Sequence, residues 1–152
     1  MQVLLDKDFR LSGRDTQTNI KLNFTIEEAF NFLQINFTYS PGQSSDQVAQ
    51  DQVKEAIQKY SLNQRARDQA RLEDFLPVDN FITLSLAKDG HYLGGYHNKS
   101  KDQKILISRE DASLGFWPVD HLSGQWEAQL NCHCIASKAL SASLRIEGHH
   151  EA

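Results

Sequence analysis

Apolar and polar residues alternate with a period of two through most of this chain. Such alternation places successive side chains on opposite faces of a strand, so that each strand has one buried face and one wet face. We therefore predict a mainly β fold, an antiparallel β-sandwich of about seven strands with a jelly-roll or immunoglobulin-like arrangement. The seven predicted strands cover residues 3–11, 20–26, 33–39, 82–86, 104–108, 126–130 and 142–146.

One segment, residues 44–74, departs from this pattern and has helical periodicity. Ser44 and Gln47 have the spacing of a capping box, which satisfies free amides at the start of a helix. An apolar stripe at i, i+3, i+4 and i+7 follows, formed by Val53, Ala56, Ile57 and Tyr60. A second, polar helix is predicted from residue 63 to about 73. This insertion either packs over an open end of the sandwich or binds a partner.

The composition limits the class of protein. The 152 residues, 39% of them apolar, suffice for one domain over residues 1–148, and we expect 149–152, with His149 and His150, to be a frayed tail. The net charge of −4 and the absence of a basic stripe argue against nucleic-acid binding. No segment approaches the ~20 apolar residues of a membrane span.

Two further features concern the compartment. Residues 3–5 are apolar but are followed at once by Asp6, Lys7 and Asp8, so they do not form the apolar core of an export signal. Two cysteines one residue apart are not a disulfide framework. Both observations predict a cytoplasmic location.

The predicted loop 88–103 carries the side chains best suited to binding. Its glycines permit close approach of a ligand, and its histidines and tyrosines offer hydrogen-bonding groups and stacking faces. If the strands 81–87, 104–108 and 125–134 are successive antiparallel neighbours, His133 lies at the same end as this loop. The candidate ligand-binding or partner-binding residues are His91, Tyr92, Gly94, Gly95, Tyr96, His97 and His133.

The three histidines of this set allow two interpretations. His91, His97 and His133 are a possible transition-metal site, because neutral imidazoles bind such metals. Alternatively, they are hydrogen-bonded or solvated loop residues, since no regular spacing fixes their geometry. We favour the second interpretation and predict no metal and no cofactor.

Cys132 and Cys134 flank His133, with a spacing of one residue rather than the two to four of zinc sites. The alternation directs both cysteines to the core, where they are expected to act as small apolar residues, and His133 outward. Trp117, beside Pro118, is either a hydrophobic plug under the connection 109–124 or an exposed platform for stacking a sugar. We favour the plug.

No catalytic set is evident. The sequence has no Gly-x-Ser-x-Gly elbow and no pair of carboxylates that the alternation places on one face. These observations favour a protein that is not an enzyme.

Residues from about 55 to 146 resemble the amino-terminal β-sandwich of PHP-domain metallohydrolases of the carbaryl-hydrolase-like (CehA/McbA) family. The resemblance rests on turn and strand residues. They are Asn80-Phe81-Ile82-Thr83-Leu84-Ser85-Leu86, Asp89-Gly90, Gly94-Gly95 with His97, Ile107-Ser108, Asp111-Ala112-Ser113, Gly115-Phe116 with Pro118, Gly124 with Trp126, and His133.

In that family an accessory sandwich precedes a separate PHP domain, which holds the metals and hydrolyses phosphoesters or related substrates. The ligand motifs of the PHP domain do not occur in this sequence. The resemblance therefore implies a non-catalytic accessory module that binds a small ligand, a PHP-type metallohydrolase or another protein. The alternative is a small metal-dependent hydrolase or metal-binding protein that uses His91, His97 and His133.

Overall fold

A computed structural model of the chain describes residues 1–96 and 101–150. Within this part the fold is mainly β and antiparallel, as predicted. The strands are β1 (Gln2–Leu11), β2 (Thr18–Ile26), β3 (Phe32–Ser40), β4 (Gln43–Ser44), β5 (Val78–Asp79), β6 (Phe81–Lys88), β7 (His91–Gly95), β8 (Asp102–Ser108), β9 (Gly124–Cys134) and β10 (Leu140–His149).

Eight of these strands form two four-stranded sheets. Sheet A has the order β1-β10-β3-β8, and sheet B has the order β2-β9-β6-β7; β4 and β5 form a separate short ribbon. All neighbours in both sheets are antiparallel. Apart from the hairpin β6-β7, consecutive strands of these sheets alternate between sheet A and sheet B, so the arrangement is a jelly roll rather than an immunoglobulin-like sandwich.

The core lies between the two sheets and is built from the alternating apolar residues that the sequence indicated. Trp126 is its largest side chain, with its ring 5.9 Å from that of Phe24 on the neighbouring strand. The Trp126 indole nitrogen donates to the Leu122 carbonyl at 2.7 Å, so its one polar atom is satisfied. The seven predicted strands all occur, with boundaries extended by a few residues.

The eighth strand of the sandwich, β7, lies inside the segment predicted as one loop, 88–103. It follows β6 through a two-residue turn in which Asp89 (φ 51°) and Gly90 (φ 81°) both have positive φ. The turn predicted at Asp89-Gly90 is therefore confirmed, and Asp-Gly is a favoured pair for a hairpin turn of this kind. The strand itself was missed because His-Tyr-Leu-Gly-Gly has no alternation to detect.

The assumed order of strands 81–87, 104–108 and 125–134 was wrong. Strand β8 pairs with β3 in sheet A, whereas β6 pairs directly with β9 in sheet B. Alternation shows that a strand has one buried face, but it does not identify the neighbouring strand. The predicted convergence of His91, His97 and His133 rested on that strand order.

The helical insertion contains α1 (Gln47–Tyr60), α2 (Gln64–Gln69) and a 3-10 turn (Leu72–Phe75); another 3-10 turn spans Gly13–Asp15. The cap of α1 is Asp46 rather than Ser44: its carboxylate accepts from the backbone amides of Val48 (2.9 Å) and Ala49 (3.3 Å). The amino-terminal half of α1 packs on the sandwich through buried Ala49 and Val53.

The other half of the predicted apolar stripe does not pack on the sandwich. Ala56 is exposed and Ile57 is only partly buried. Tyr60 is 72% exposed, and the following Leu62 is 96% exposed. Packing over the end of the sandwich therefore accounts for only the first half of this helix.

Residues 111–117, which we term the strap, cross the side of the sandwich between the edge strands β8 and β7. The Ser113 amide donates to the Leu106 carbonyl of β8 at 2.9 Å, and the Trp117 amide donates to the Leu93 carbonyl of β7 at 2.9 Å. Phe116, opposite Gly94, is the buried side chain of the strap. The strap thus occupies the edge of sheet B at β7.

The predicted frayed tail was wrong for His149 and His150. His149 is the last residue of β10, and its ring stacks on Phe32 at 4.7 Å. His150 contacts Glu28 at 3.0 Å and the Phe30 ring. Over the described ranges, no helix has the length and apolar character needed to cross a membrane.

Candidate functional site

The outward face of sheet B carries a continuous set of polar side chains, which we term the sheet B face. It comprises the odd-numbered residues of β2, β6 and β9, together with Tyr92 and Gly95 of β7. Even-numbered residues of the three long strands point into the core, as the burial of Phe24, Leu84 and Leu130 shows. The strand register therefore assigns the odd-numbered residues to the outer face.

Side-chain hydrogen bonds connect β6 and β9 across the centre of this face. The Asn131 side-chain amide donates to the hydroxyls of Thr83 (3.2 Å) and Ser85 (3.3 Å). The Gln129 side-chain amide donates to the Asn131 side-chain carbonyl at 2.5 Å. Both amides are therefore held in one orientation by their neighbours rather than rotating freely.

His133 ends this network near the start of β6. Its Nε2 lies 2.8 Å from the Thr83 hydroxyl, and its ring stacks on Phe81 with 4.9 Å between ring centres. Thr83 is only 3% exposed although it belongs to the outer face. His133 therefore has a fixed position on the sheet B face. Its side chain points outward, as predicted.

The face has little net charge. Its charged side chains within the described residues are Lys21 on β2 and Glu127 on β9, which have opposite signs. Asparagine, glutamine, serine and threonine supply most of its other polar groups. A neutral ligand with both donor and acceptor groups matches such a surface better than an ion does.

Aromatic rings lie along the β7 side of the face. Tyr92 is 67% exposed, and its pairing with Ala87 places it outward. A Cβ at Gly95 would lie 3.1 Å from the Tyr92 hydroxyl and 3.2 Å from Ser85 Cβ. The Tyr92 ring therefore extends over Gly95, which pairs with Ser85 of β6.

Trp117 lies in the strap, with its backbone beside Leu93 of β7. It is 69% exposed, so the predicted plug was wrong, and its neighbour Phe116 fills the buried position instead. Phe116 points inward opposite Gly94. The amide of the next residue, Trp117, donates to the carbonyl of Leu93, the residue that follows Tyr92. The sequence shows both aromatic residues but not the bond that holds the strap against β7.

The two glycines of β7 have different roles. A Cβ at Gly94, where φ is +134°, would collide with the Gly115 carbonyl oxygen, so this glycine allows the strap to approach. Gly95 leaves space beneath the Tyr92 ring. Neither glycine lies in a loop, which was their predicted place.

The structure does not bring His91 and His133 together. His91 pairs with Lys88 at the end of β6, whereas His133 lies beside Phe81 at its beginning. His97 lies outside the described residues, so its proximity to His133 stays a prediction. Among residues 1–96 and 101–150, no group of three or more His, Cys, Asp or Glu side chains is placed to hold a metal ion.

The cysteines are not activated nucleophiles. Cys132 is buried, and burial is the main cause that raises the pKa of its thiol, followed by the charge of Asp15. Cys134 is only partly buried, and burial followed by the charge of Asp79 raises its thiol pKa. The thiolate is the reactive form of cysteine, so a raised pKa lowers reactivity at neutral pH.

A cleft of about 660 Å³ lies at the β8 edge, away from the sheet B face, between Phe32, Leu106 and the beginning of the strap. Two serines line this cleft, and both form hydrogen bonds with backbone groups. The Ser113 hydroxyl accepts from the Leu106 amide at 2.8 Å, and the Ser108 hydroxyl donates to the Asp111 carbonyl at 3.1 Å. These bonds hold the strap against β8. They do not prepare either serine for nucleophilic attack.

The fold and this face define a jelly-roll domain with a polar surface of low net charge, bordered by exposed aromatic rings. No protein-family model, no curated protein and no solved structure matches the chain.

Proposed function

We propose that this domain is a non-catalytic binding module whose ligand lies on the sheet B face, against the aromatic side formed by Tyr92 and Trp117. The observation that carries the proposal is the fixed orientation of Asn131 and Gln129 beside an exposed Tyr92. Ordered polar groups next to exposed aromatic rings are the features that binding sites combine. A rigid sheet holds them without further ordering.

This site contains part of the set predicted from the sequence. Tyr92, Gly95 and His133 lie on the face, while His91 pairs with inward-pointing Lys88 at the hairpin turn and Gly94 supports the strap. Tyr96 borders a small cleft beside Gln103 and Phe116 and is 43% exposed. The centre of the proposed binding site is therefore formed by Tyr92, Ser85, Gln129 and Asn131 rather than by the predicted loop 88–103.

The test is an NMR titration with a mixed set of small compounds: neutral sugars, nucleosides, amino acids and carboxylic acids. Binding on the face shifts the side-chain amide signals of Gln129 and Asn131, because these groups are its central donors. Tyr92→Ala should remove the shifts, whereas Tyr60→Ala, which alters an equally exposed tyrosine on α1, should not. Compounds that shift other residues and leave Gln129 and Asn131 unchanged would refute the proposal.

A second candidate function is docking to a protein through the helical insertion, and the exposure of Tyr60, Leu62 and Phe75 favours it. Large apolar side chains exposed together are typical of protein interaction surfaces. The sequence resemblance suggests the catalytic domain of a PHP-type metallohydrolase as the partner. Leu62→Ser should weaken association with such a domain in calorimetry, while Tyr92→Ala should leave it unchanged; no measurable association would exclude this candidate.

A further inference from the structure

We infer that the ligand of the sheet B face is a neutral oligosaccharide whose rings stack on Trp117 and Tyr92. This inference rests on the proposed function and specifies its ligand. It depends on three properties of the site: two exposed rings carried by β7 and by the strap bonded to it, an oriented set of amide and hydroxyl groups, and a low net charge.

The first property is the pair of aromatic rings. The hydrogen bond from the Trp117 amide to the Leu93 carbonyl places Trp117 beside β7, as a neighbouring strand would lie, at about 4.8 Å between backbones. Tyr92 is the next residue of β7, and both side chains are about two-thirds exposed. Two large exposed rings offer apolar surface beside the polar groups of the face, and the C–H faces of sugars are apolar partners for an aromatic face.

The second property is the set of hydrogen-bonding groups next to these rings. A sugar hydroxyl both donates and accepts, and so do the amides of Asn131 and Gln129 and the hydroxyl of Ser85. Bonds within the network hold the two amides in place before any ligand binds. Less side-chain entropy is therefore lost on binding, which favours affinity for a polar ligand.

The third property is the low net charge of the face. It argues against ligands that carry phosphate groups. Phosphate-bearing ligands are recognised by clustered arginine or lysine, and the described part of the face offers only Lys21, together with Glu127 of the opposite sign. An extended peptide binds by adding a strand to a sheet edge, but at the β7 edge, where Tyr92 and Trp117 lie, the strap already bonds to Leu93. A neutral glycan needs neither feature.

The experiment is a calorimetric and fluorescence titration of the whole chain with cellohexaose, maltohexaose, mannohexaose and xylohexaose. Trp117 is exposed while Trp126, the only other tryptophan, is buried, so stacking changes the emission of Trp117 alone. We expect at least one of these sugars to bind. Trp117→Ala and Tyr92→Ala should each weaken that binding by about tenfold or more, as expected for aromatic residues at the centre of an interface.

Two control variants make the result specific. Tyr60→Ala removes an equally exposed ring from α1 and should leave sugar affinity unchanged. Gln129→Ala should weaken binding without altering the tryptophan emission of the free protein. Equal sugar affinity in Trp117→Ala, Tyr92→Ala and Tyr60→Ala would overturn the stacking inference.

The NMR titration described above separates this inference from the proposed function. If a compound other than a sugar shifts Gln129 and Asn131 and no sugar binds, the oligosaccharide inference fails and the proposed binding face stands. If neither the sugars nor the other compounds shift these signals, both are refuted.

Discussion

Gly94 of β7 and Gly115 of the strap are packed so closely that a Cβ at position 94 would overlap the Gly115 carbonyl oxygen. Gly94 also has a φ of +134°, a conformation that other residues adopt only with strain. This contact closes the side of the sandwich and determines where Phe116 and Trp117 lie. The placement of the proposed stacking ring therefore depends on a residue with no side chain.

We expect Gly94→Ala to lower the free energy of unfolding by more than the ~1–3 kcal/mol typical of backbone strain, because a backbone collision adds to it. Urea denaturation measures this loss. Gly90→Ala is the matched control, because Gly90 also has positive φ but a Cβ there would meet no atom within 4 Å. Equal losses for the two variants would show that the strap does not pack against Gly94.

The two tryptophans should respond differently to truncation. Trp126→Ala is expected to lower the free energy of unfolding by about 3–5 kcal/mol, because it removes the largest buried side chain of the core. Trp117→Ala should lower it by less than about 0.5 kcal/mol, as exposed positions do. Thermal and urea unfolding compare them directly, and a large loss for Trp117→Ala would mean that this ring is structural.

The thiols should react slowly in the native protein at neutral pH, since burial raises the pKa of both Cys132 and Cys134. Cys134 should react faster than Cys132, because it is less buried. Its Sγ lies 3.6 Å from the Gln52 side-chain oxygen on α1. Gln52→Ala should therefore accelerate labelling of Cys134 and not of Cys132 in a thiol assay with mass spectrometry; rapid labelling of both in the unmodified protein would contradict the assignment.

Asp46 should stabilise the protein in a pH-dependent manner. Burial acts to raise the pKa of its carboxyl, but hydrogen bonds from the amides of Lys138, Ala49 and Val48 and from the Ser44 side chain outweigh it and lower the pKa. A lowered folded-state pKa means that this stabilisation is present above the unfolded-state value of about 3.9 and is lost as the pH falls through the folded-state value.

Asp46→Ala is accordingly expected to lower the free energy of unfolding by about 0.5–2 kcal/mol at neutral pH. The difference from the unmodified protein should shrink as the pH falls below about 4. Denaturation at several pH values measures it, with Asp51→Ala as the control at an exposed position of α1. A pH-independent difference would show that the charge of Asp46 is not involved.

Local patterns in the sequence determined the elements of this protein. Alternation located seven of the eight sandwich strands, because a half-buried strand needs an apolar residue at every second position. Asp89-Gly90 located the hairpin turn, because that pair tolerates positive φ at two successive residues. The helical period located α1, although Asp46 rather than Ser44 caps it.

The tertiary structure alone decided which strands are neighbours and which loop side chains are buried. Strand β8 pairs with β3 rather than with β6, a choice that the alternation of β8 does not encode. Phe116 and Trp117 are adjacent large aromatic residues, and the contact between Gly94 and Gly115 decides that the first enters the core. The sequence alone thus defined seven of the eight sandwich strands and their buried faces. Long-range packing created the candidate site, because pairing between distant segments carries Tyr92, Trp117 and Asn131 to sheet B and its edge.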